Sequence, residues 1–103
     1  MKHSVIYKIK EGKKESWLAW GKELETTFHD EAVVTLHEEG VRLEATFIFS
    51  MNSEDYVVGI MEGDDMQASN KEHKVNQLHD ARKKECLEFV TKGESVYFFN
   101  VLK

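Results

Sequence analysis

The sequence predicts a single α+β domain, residues 1–103, whose elements follow the order β-α-β-β-α-β. Four segments are rich in β-branched and aromatic residues and have the length of strands. Apolar residues at steps of three and four mark a long helix from Ser16 to Leu36. The chain contains no proline and only scattered glycines, so it offers no linker at which a second domain would begin.

The first strand and the first helix open the chain. One face of the strand from His3 to Ile9 carries Val5, Tyr7 and Ile9. The helix has one apolar side, formed by Trp17, Trp20, Leu24, Phe28, Ala32 and Leu36. Burial of that side is worth on the order of 10 kcal/mol before the entropy cost is counted. Gly40 is placed where a left-handed cap would end the helix.

The middle of the chain predicts a β-hairpin. Its strands run from Val41 to Met51 and from Tyr56 to Met61, and residues 52–55, Asn-Ser-Glu-Asp, favour a turn between them. A short helical turn is expected near residues 64–69, because acidic residues follow Gly63 as they do in the first turn of a helix.

A second long helix and a last strand complete the predicted order. Residues 69–72, Ser-Asn-Lys-Glu, match a capping box, which predicts a helix from about Asn70 to Thr91. Lys92-Gly93 ends this helix. The apolar run from Ser95 to Leu102 is the predicted fourth strand.

Right-handed crossovers convert this order into an antiparallel sheet with strand order 4-1-3-2 and both helices on one face, the ferredoxin-like arrangement. The side chains expected to face the helices are Val5, Tyr7, Leu43, Phe47, Phe49, Tyr56, Val58, Ile60, Val96 and Phe98. The side chains expected to face away from the helices are Ile6, Ile48, Val57, Met61, Tyr97, Phe99 and Val101.

The face away from the helices should therefore carry seven large apolar side chains. Together they exceed the roughly 400 Å² of contiguous apolar surface that a monomer normally tolerates. A second copy packed sheet against sheet would cover them. The sequence predicts a homodimer through this face.

Composition and charge argue against nucleic acid and membranes as partners of this protein. The formal net charge is −5, and acidic residues flank the densest basic cluster, Arg82-Lys83-Lys84, so no nucleic-acid-binding face is expected. No apolar run has the length of a membrane span, and the N-terminal residues lack the pattern of a secretory leader. The one cysteine, Cys86, cannot form an internal disulfide, so we expect a cytoplasmic protein.

Several short motifs are spread over nearly the whole chain: Trp17-x-x-Trp20-x-x-x-Leu24, Thr35-Leu36-x-Glu38-Glu39-Gly40, Glu44-x-x-Phe47, Tyr56-Val57-Val58, Met61-Glu62 and Glu72-His73. In these motifs the chain resembles a small bacterial family without an assigned function, within the dimeric α+β barrel group. That group includes sugar mutarotases, cofactor-independent quinone-forming monooxygenases and haem-degrading enzymes, and its members tend to have a pocket between helices and sheet. The resemblance implies a homodimer and a small-molecule pocket.

Candidate pocket residues come from both helices and from the hairpin. His73, in the first turn of the second long helix, could act as a general acid or base, with Asp80 orienting it. The alternative for His73 is a surface histidine at a helix start. Trp20 and Tyr56 are candidates for lining the pocket. Trp17 could also line a pocket for a flat ligand, although tryptophans at helical spacing usually form cores. His79 is interpreted as a half-buried packing residue.

Glu44 lies on the second strand with Arg42 and Thr46, on the face assigned to the dimer. It either pairs across the dimer interface, for example with Arg42 or Lys8, or belongs to a polar pocket with an altered pKa. The pairing is favoured, because buried charges usually have partners.

The sequence leaves three functions open. The first is a homodimer that binds a small molecule. The second is an enzyme of the mutarotase-like or cofactor-independent monooxygenase-like type, with His73 as acid or base, and the third is a non-catalytic structural dimer. Phosphate-binding glycine loops, zinc-spaced pairs and serine-nucleophile elbows are absent from the sequence, so we expect no cofactor and no metal.

Overall fold

The computed structural model describes residues 1–99 and 101. In this part of the chain it contains four strands and three helices, which confirms the α+β class. The elements are, in chain order, β1 (Lys2–Ile9), α1 (Lys14–Glu25), α2 (His29–Glu38), β2 (Val41–Met51), β3 (Glu54–Gly63), α3 (Lys74–Cys86) and β4 (Leu87–Lys92).

The four strands form one antiparallel sheet in the order β2-β3-β1-β4. Read from its other edge this order is 4-1-3-2, but β4 is formed by other residues than the predicted fourth strand. The predicted strand Ser95–Leu102 is wrong, because residues 95–99 and 101 belong to no strand, while Asn100 and Leu102 lie outside the described residues. β4 consists instead of residues that the sequence pattern assigns to the second long helix. Its Leu, Phe, Val and Thr side chains favour a pleated strand.

The predicted helix from Ser16 to Leu36 is two helices, α1 and α2. The break lies at residues 26–28, where the Phe28 N–H donates to the Glu23 carbonyl at 2.9 Å, one residue further back than in a regular α-helix. The Thr26 hydroxyl also donates to the Lys22 carbonyl, at 2.7 Å. This wide turn ends one helix and lets the next begin without moving the apolar side off the core.

The predicted start of the second long helix is also wrong. No helical turn forms over residues 64–69, and α3 begins at Lys74 with His73 as its N-cap residue, in extended conformation. The Asn70 side-chain oxygen accepts the Glu72 N–H at 2.9 Å, so it closes a turn ahead of the helix.

The core lies between the sheet and the helices. It is built from the buried residues Ile9, Trp17, Trp20, Val57, Val75, Cys86 and Leu87. Leu24, Phe28 and Ala32 pack against this cluster, so all three helices cover the same face of the sheet. The apolar side predicted for the first helix is confirmed, and Trp20 is its most buried member at 1% exposure.

The predicted faces are correct for β1 and wrong for β2 and β3. Tyr7 pairs with Val57, and Val57 pairs with Ile48, so these three side chains share the helix-covered face. The prediction placed Tyr7 with Val58 instead, and an offset of one residue moves every side chain of a strand to the other face. The face turned away from the helices, called the open face below, carries Leu43, Phe47, Phe49, Met51 and Ile60, all exposed.

In the described part of the chain, no helix has the length and apolar character needed to cross a membrane.

Candidate ligand pocket between helices and sheet

A cavity of about 200 Å³ lies between the helix-covered face of the sheet and helices α1 and α3. Its walls mix apolar, aromatic and titratable side chains, a composition typical of small-molecule sites. The lining residues are His3, Val5, Tyr7, Trp17, Glu44, Ala45, Thr46, Val57, Gly59, Ile60, Met61, His79, Lys83 and Leu87. We call this cavity the helix–sheet pocket.

Gly59 leaves the floor of the helix–sheet pocket open. It lies in the middle of β3, and a Cβ atom at this position would approach Val5 at 3.4 Å and Thr46 at 3.6 Å, which are ordinary contact distances. Gly59 also has no left-handed φ, so neither packing nor backbone conformation requires glycine here. A glycine inside a strand weakens the strand and often marks a place where another group approaches closely. The missing side chain adds space to the pocket.

His79 is held in one tautomer. The Trp20 Nε1–H donates to His79 Nδ1 at 2.9 Å, so the imidazole proton must lie on Nε2. Burial and the nearby Lys83 lower the pKa of His79 to about 4, and the ring is neutral at pH 7. No described residue is bonded to Nε2, and no buried side-chain nitrogen or oxygen in the described chain lacks a partner, so Nε2–H remains accessible to solvent. His79 thus offers one fixed hydrogen-bond donor.

Lys83 lies one helical turn after His79, on the same side of α3. Its ammonium nitrogen is 5.5 Å from the centroid of the Tyr7 ring, a cation–π distance. The ammonium group of Lys83 makes no hydrogen bond and no ion pair with any described residue. The positive charge is therefore available to a ligand.

Glu44 lies on the opposite wall, on β2. The surrounding protein atoms and the nearby Glu39 raise the pKa of Glu44, while Lys83 acts in the other direction. Its side chain is still accessible at the mouth of the pocket. Like Lys83, it forms no hydrogen bond or ion pair within the described residues.

The structure places Glu44 on the helix-covered face and not on the face predicted for the dimer, and within the described chain it pairs with neither Arg42 nor Lys8. Arg42 binds Glu62 and Asp64 instead, and the ammonium group of Lys8 pairs with Glu54 at 2.7 Å. Glu44 instead lines the helix–sheet pocket, and its pKa is raised there.

Of the other predicted site residues, one contacts the pocket and three lie away from it. Trp20 lies directly behind the pocket, where it binds His79, while His73, Asp80 and Tyr56 do not line it. His73 Nε2 lies 2.9 Å from Glu38 Oε1, so it links the start of α3 to the end of α2. Asp80 pairs with Lys71 at 2.6 Å, and the Tyr56 hydroxyl donates to Glu54 at 2.8 Å. The acid or base role of His73 stays a prediction.

Sequence reasoning missed His3, Tyr7, His79 and Lys83 as pocket residues. The sequence pattern indicates a core position for Tyr7 and a solvated helix face for Lys83. The spacing of His79 and Lys83 by four residues was the available signal, because it places an imidazole and an ammonium group on one side of a helix. The bond from Trp20 to His79 joins residues 59 positions apart, so no local pattern indicates it.

A second cavity of about 200 Å³ lies on the open face near the start of β1, lined by Lys2, His3, Ser4, Leu43, Ile60, Met61, Glu62, Gly93, Ser95 and Phe98. Phe98 covers part of it, and the ammonium nitrogen of Lys2 is 5.0 Å from the centroid of that ring. Within the described residues, no group of three His, Cys, Asp or Glu side chains could hold a metal ion in either cavity or elsewhere.

Residues 3–101 match the model of a protein family described as a family of unknown function, DUF6176. Neither the curated proteins nor the solved structures contain a match to this sequence.

Proposed function

We propose that this chain, which belongs to the family of unknown function DUF6176, is a homodimeric protein that binds a small molecule in the helix–sheet pocket. One observation carries the proposal. Lys83 and Glu44, two charged side chains that form no hydrogen bond or ion pair within the described chain, face a cavity whose floor is left open by Gly59. A few polar groups that converge on a mostly apolar cavity are typical of a site that orients a small ligand.

The open face supports the homodimer. Phe47 is 54% exposed and Phe49 is 51% exposed, and they lie beside three further exposed apolar residues of the same face. Val96 and Val101, each 90% exposed, follow β4 in the C-terminal segment. A monomer would leave this apolar surface in water, whereas two copies packed sheet against sheet would bury it.

This assembly agrees with the predicted architecture. One layer of helices on a sheet of order β2-β3-β1-β4 supports the ferredoxin-like arrangement. Two such sheets facing each other would form a dimeric α+β barrel, with a helix–sheet pocket in each copy. We place this dimer in the bacterial cytoplasm, where the single buried Cys86 would stay reduced.

A proton-transfer enzyme acting on a sugar or another oxygenated ring is the second candidate. The observation that favours it is the pair formed by Glu44 and His79, whose surroundings shift their pKa values in opposite directions. Two titratable groups with perturbed pKa values in one cleft are typical of acid–base sites. An increase in the rate of sugar mutarotation that Glu44→Gln abolishes would establish this candidate.

A thermal-shift screen of sugars, phenols and haem tests ligand binding. A pocket protein gains stability with at least one of these classes, and Gly59→Val, which fills the pocket, should abolish that gain. Gly21→Val in α1 is the matched control, because a Cβ atom there would meet only its chain neighbours and the helix's own backbone within 4 Å. If no class raises Tm, or if Gly59→Val keeps the full shift, the proposal of a ligand pocket fails.

A further inference from the structure

We infer that the helix–sheet pocket takes a single-ring hydroxy acid, with the carboxylate of the ligand toward Lys83 and His79 and its hydroxyl toward Glu44. This inference rests on the proposed function, because it names the ligand class of the same pocket. It also assigns a ligand-binding role to His79 and Lys83.

The volume of the pocket sets the size of the ligand. An apolar protein cavity of about 150 Å³ is known to hold one benzene molecule. The helix–sheet pocket, at about 200 Å³, therefore accommodates one six-membered ring with two small substituents. A fused ring system or a nucleotide would not fit without rearrangement of the walls.

The α3 wall is built for an anion. The ammonium group of Lys83 and the Nε2–H of His79 are both donors and lie one helical turn apart, and neither donates a hydrogen bond to a described residue. The bond from Trp20 keeps Nδ1 occupied, so His79 cannot present an acceptor to the ligand without breaking it. A carboxylate, which accepts two hydrogen bonds and carries a negative charge, complements this pair of donors.

The β2 wall is built for a hydrogen-bond donor. An ionised Glu44 accepts hydrogen bonds only, and it would repel the carboxylate of the ligand. The carboxylate therefore binds at the α3 wall, and a hydroxyl group on the ring would donate to Glu44. The two walls together fix one orientation of the ligand.

The surfaces between these two walls are apolar and partly flat. The Trp17 side chain contributes an aromatic surface and Val57 an aliphatic one, while Gly59 leaves room above the sheet. A planar ring can stack against such surfaces, and aromatic contacts contribute about 0.5–1.5 kcal/mol beyond simple burial. These walls favour a ring over a flexible chain of the same size.

Binding of four matched compounds, followed by isothermal titration calorimetry, tests the inference. The compounds are para-hydroxybenzoate, its neutral amide para-hydroxybenzamide, benzoate and phenol. Para-hydroxybenzoate should bind about tenfold more tightly than the amide, which lacks the charge, and about tenfold more tightly than benzoate, which lacks the hydroxyl.

Variants assign these differences to residues. Lys83→Met should weaken para-hydroxybenzoate about tenfold and leave the amide unchanged. Lys84→Met, at an exposed neighbouring position outside the pocket, is the matched control and should change neither. Glu44→Val should remove the preference for para-hydroxybenzoate over benzoate. If Lys83→Met fails to fold, the wild-type comparison of the acid with its amide still decides the question.

The outcomes separate the two proposals. Equal affinity for para-hydroxybenzoate and its amide, or an unchanged affinity in Lys83→Met, overturns the hydroxy-acid inference while the ligand pocket stands. If none of the four compounds binds and the screen of sugars, phenols and haem also finds no ligand, the ligand pocket itself is overturned. If a compound binds equally well to Gly59→Val, it occupies another site, and both proposals fail.

Discussion

Gly59→Ala should make the protein more stable and a poorer binder. Alanine in a strand is favoured over glycine by about 0.5–1 kcal/mol, because glycine loses more backbone entropy on folding. The new methyl group meets Val5 at 3.4 Å and Thr46 at 3.6 Å, so no clash offsets this gain. For a domain of about 100 residues the expected rise in Tm without ligand is about 2–8 °C.

The same methyl group should weaken binding, because it occupies space above the sheet that a ring would fill. Crowding of a packed site by one methyl group costs about 1–3 kcal/mol, which corresponds to an increase in Kd of roughly 5- to 150-fold. Gly21→Ala is the control. It lies within α1, where the new methyl group would touch no other element, and it should raise stability by about 1 kcal/mol without changing Kd.

Thermal unfolding without ligand and a calorimetric titration of para-hydroxybenzoate measure the two effects separately. The reasoning predicts that stability and affinity change in opposite directions at Gly59 and that only stability changes at Gly21. Two results would refute it: a fall in Tm for Gly59→Ala, which would mean that the site is already full, or an unchanged Kd, which would mean that the ligand lies elsewhere.

Three further predictions concern pH, assembly and the edge of the sheet. The pKa of His79 is lowered from 6.5 to about 4 in the folded state, so the unfolded chain binds more protons between these values and stability falls as pH decreases through this range, by on the order of 3 kcal/mol. The raised pKa values of Glu44 and Glu39 act in the opposite direction. The check is therefore how the difference in unfolding free energy between wild type and His79→Gln, measured in urea, changes from pH 7 to pH 4. An unperturbed His79 would leave this difference independent of pH. Phe47→Glu on the open face should convert the proposed dimer to a monomer in light scattering, whereas Leu18→Glu, at a comparably exposed position on α1, should not. A dimer that tolerates Phe47→Glu would exclude this face. Arg42→Met removes the partner of the buried Glu62 carboxylate and should cost about 1–3 kcal/mol in chemical unfolding, and a loss below about 0.5 kcal/mol would show that water replaces Arg42.

Sequence periodicity was sufficient to predict the core side of α1 and the hairpin of β2 and β3. Trp17 and Trp20 repeat at helical spacing beside a long apolar series, and turn formers at residues 52–55 separate two β-rich runs. These signals are local, and no tertiary contact opposes them. The break between α1 and α2 escaped prediction because it depends on one backbone bond, from Phe28 to Glu23, that leaves the apolar spacing intact.

The fourth strand was misplaced because α3 passes into β4 without a loop. Leu87 follows Cys86 directly, and no glycine or proline marks the change, whereas Gly93 further on looked like the end of the helix. The faces of β2 and β3 were misassigned because alternation gives two opposite sets of residues but not which set the helices cover. In this sheet the register, which pairs Tyr7 with Val57, decides which residues of β2 and β3 face the helices.

Of the residues that line the pocket, sequence reasoning named only Trp17 and Glu44 as candidates, and for Glu44 it favoured a pairing across the dimer interface. The tautomer of His79 depends on a hydrogen bond from Trp20, which lies 59 positions away in the sequence. The open volume of the helix–sheet pocket depends on Gly59, and nothing in the local sequence distinguishes this glycine from others in strands. Pocket chemistry in this protein arises from groups that tertiary structure brings together.

A crystal structure of the protein soaked with para-hydroxybenzoate tests the central claim most directly. The account predicts one ring per copy above Gly59, with its carboxylate within hydrogen-bond distance of Lys83 Nζ and His79 Nε2 and its hydroxyl against Glu44. Ordered water alone in the helix–sheet pocket, at a ligand concentration that saturates binding in solution, would contradict it.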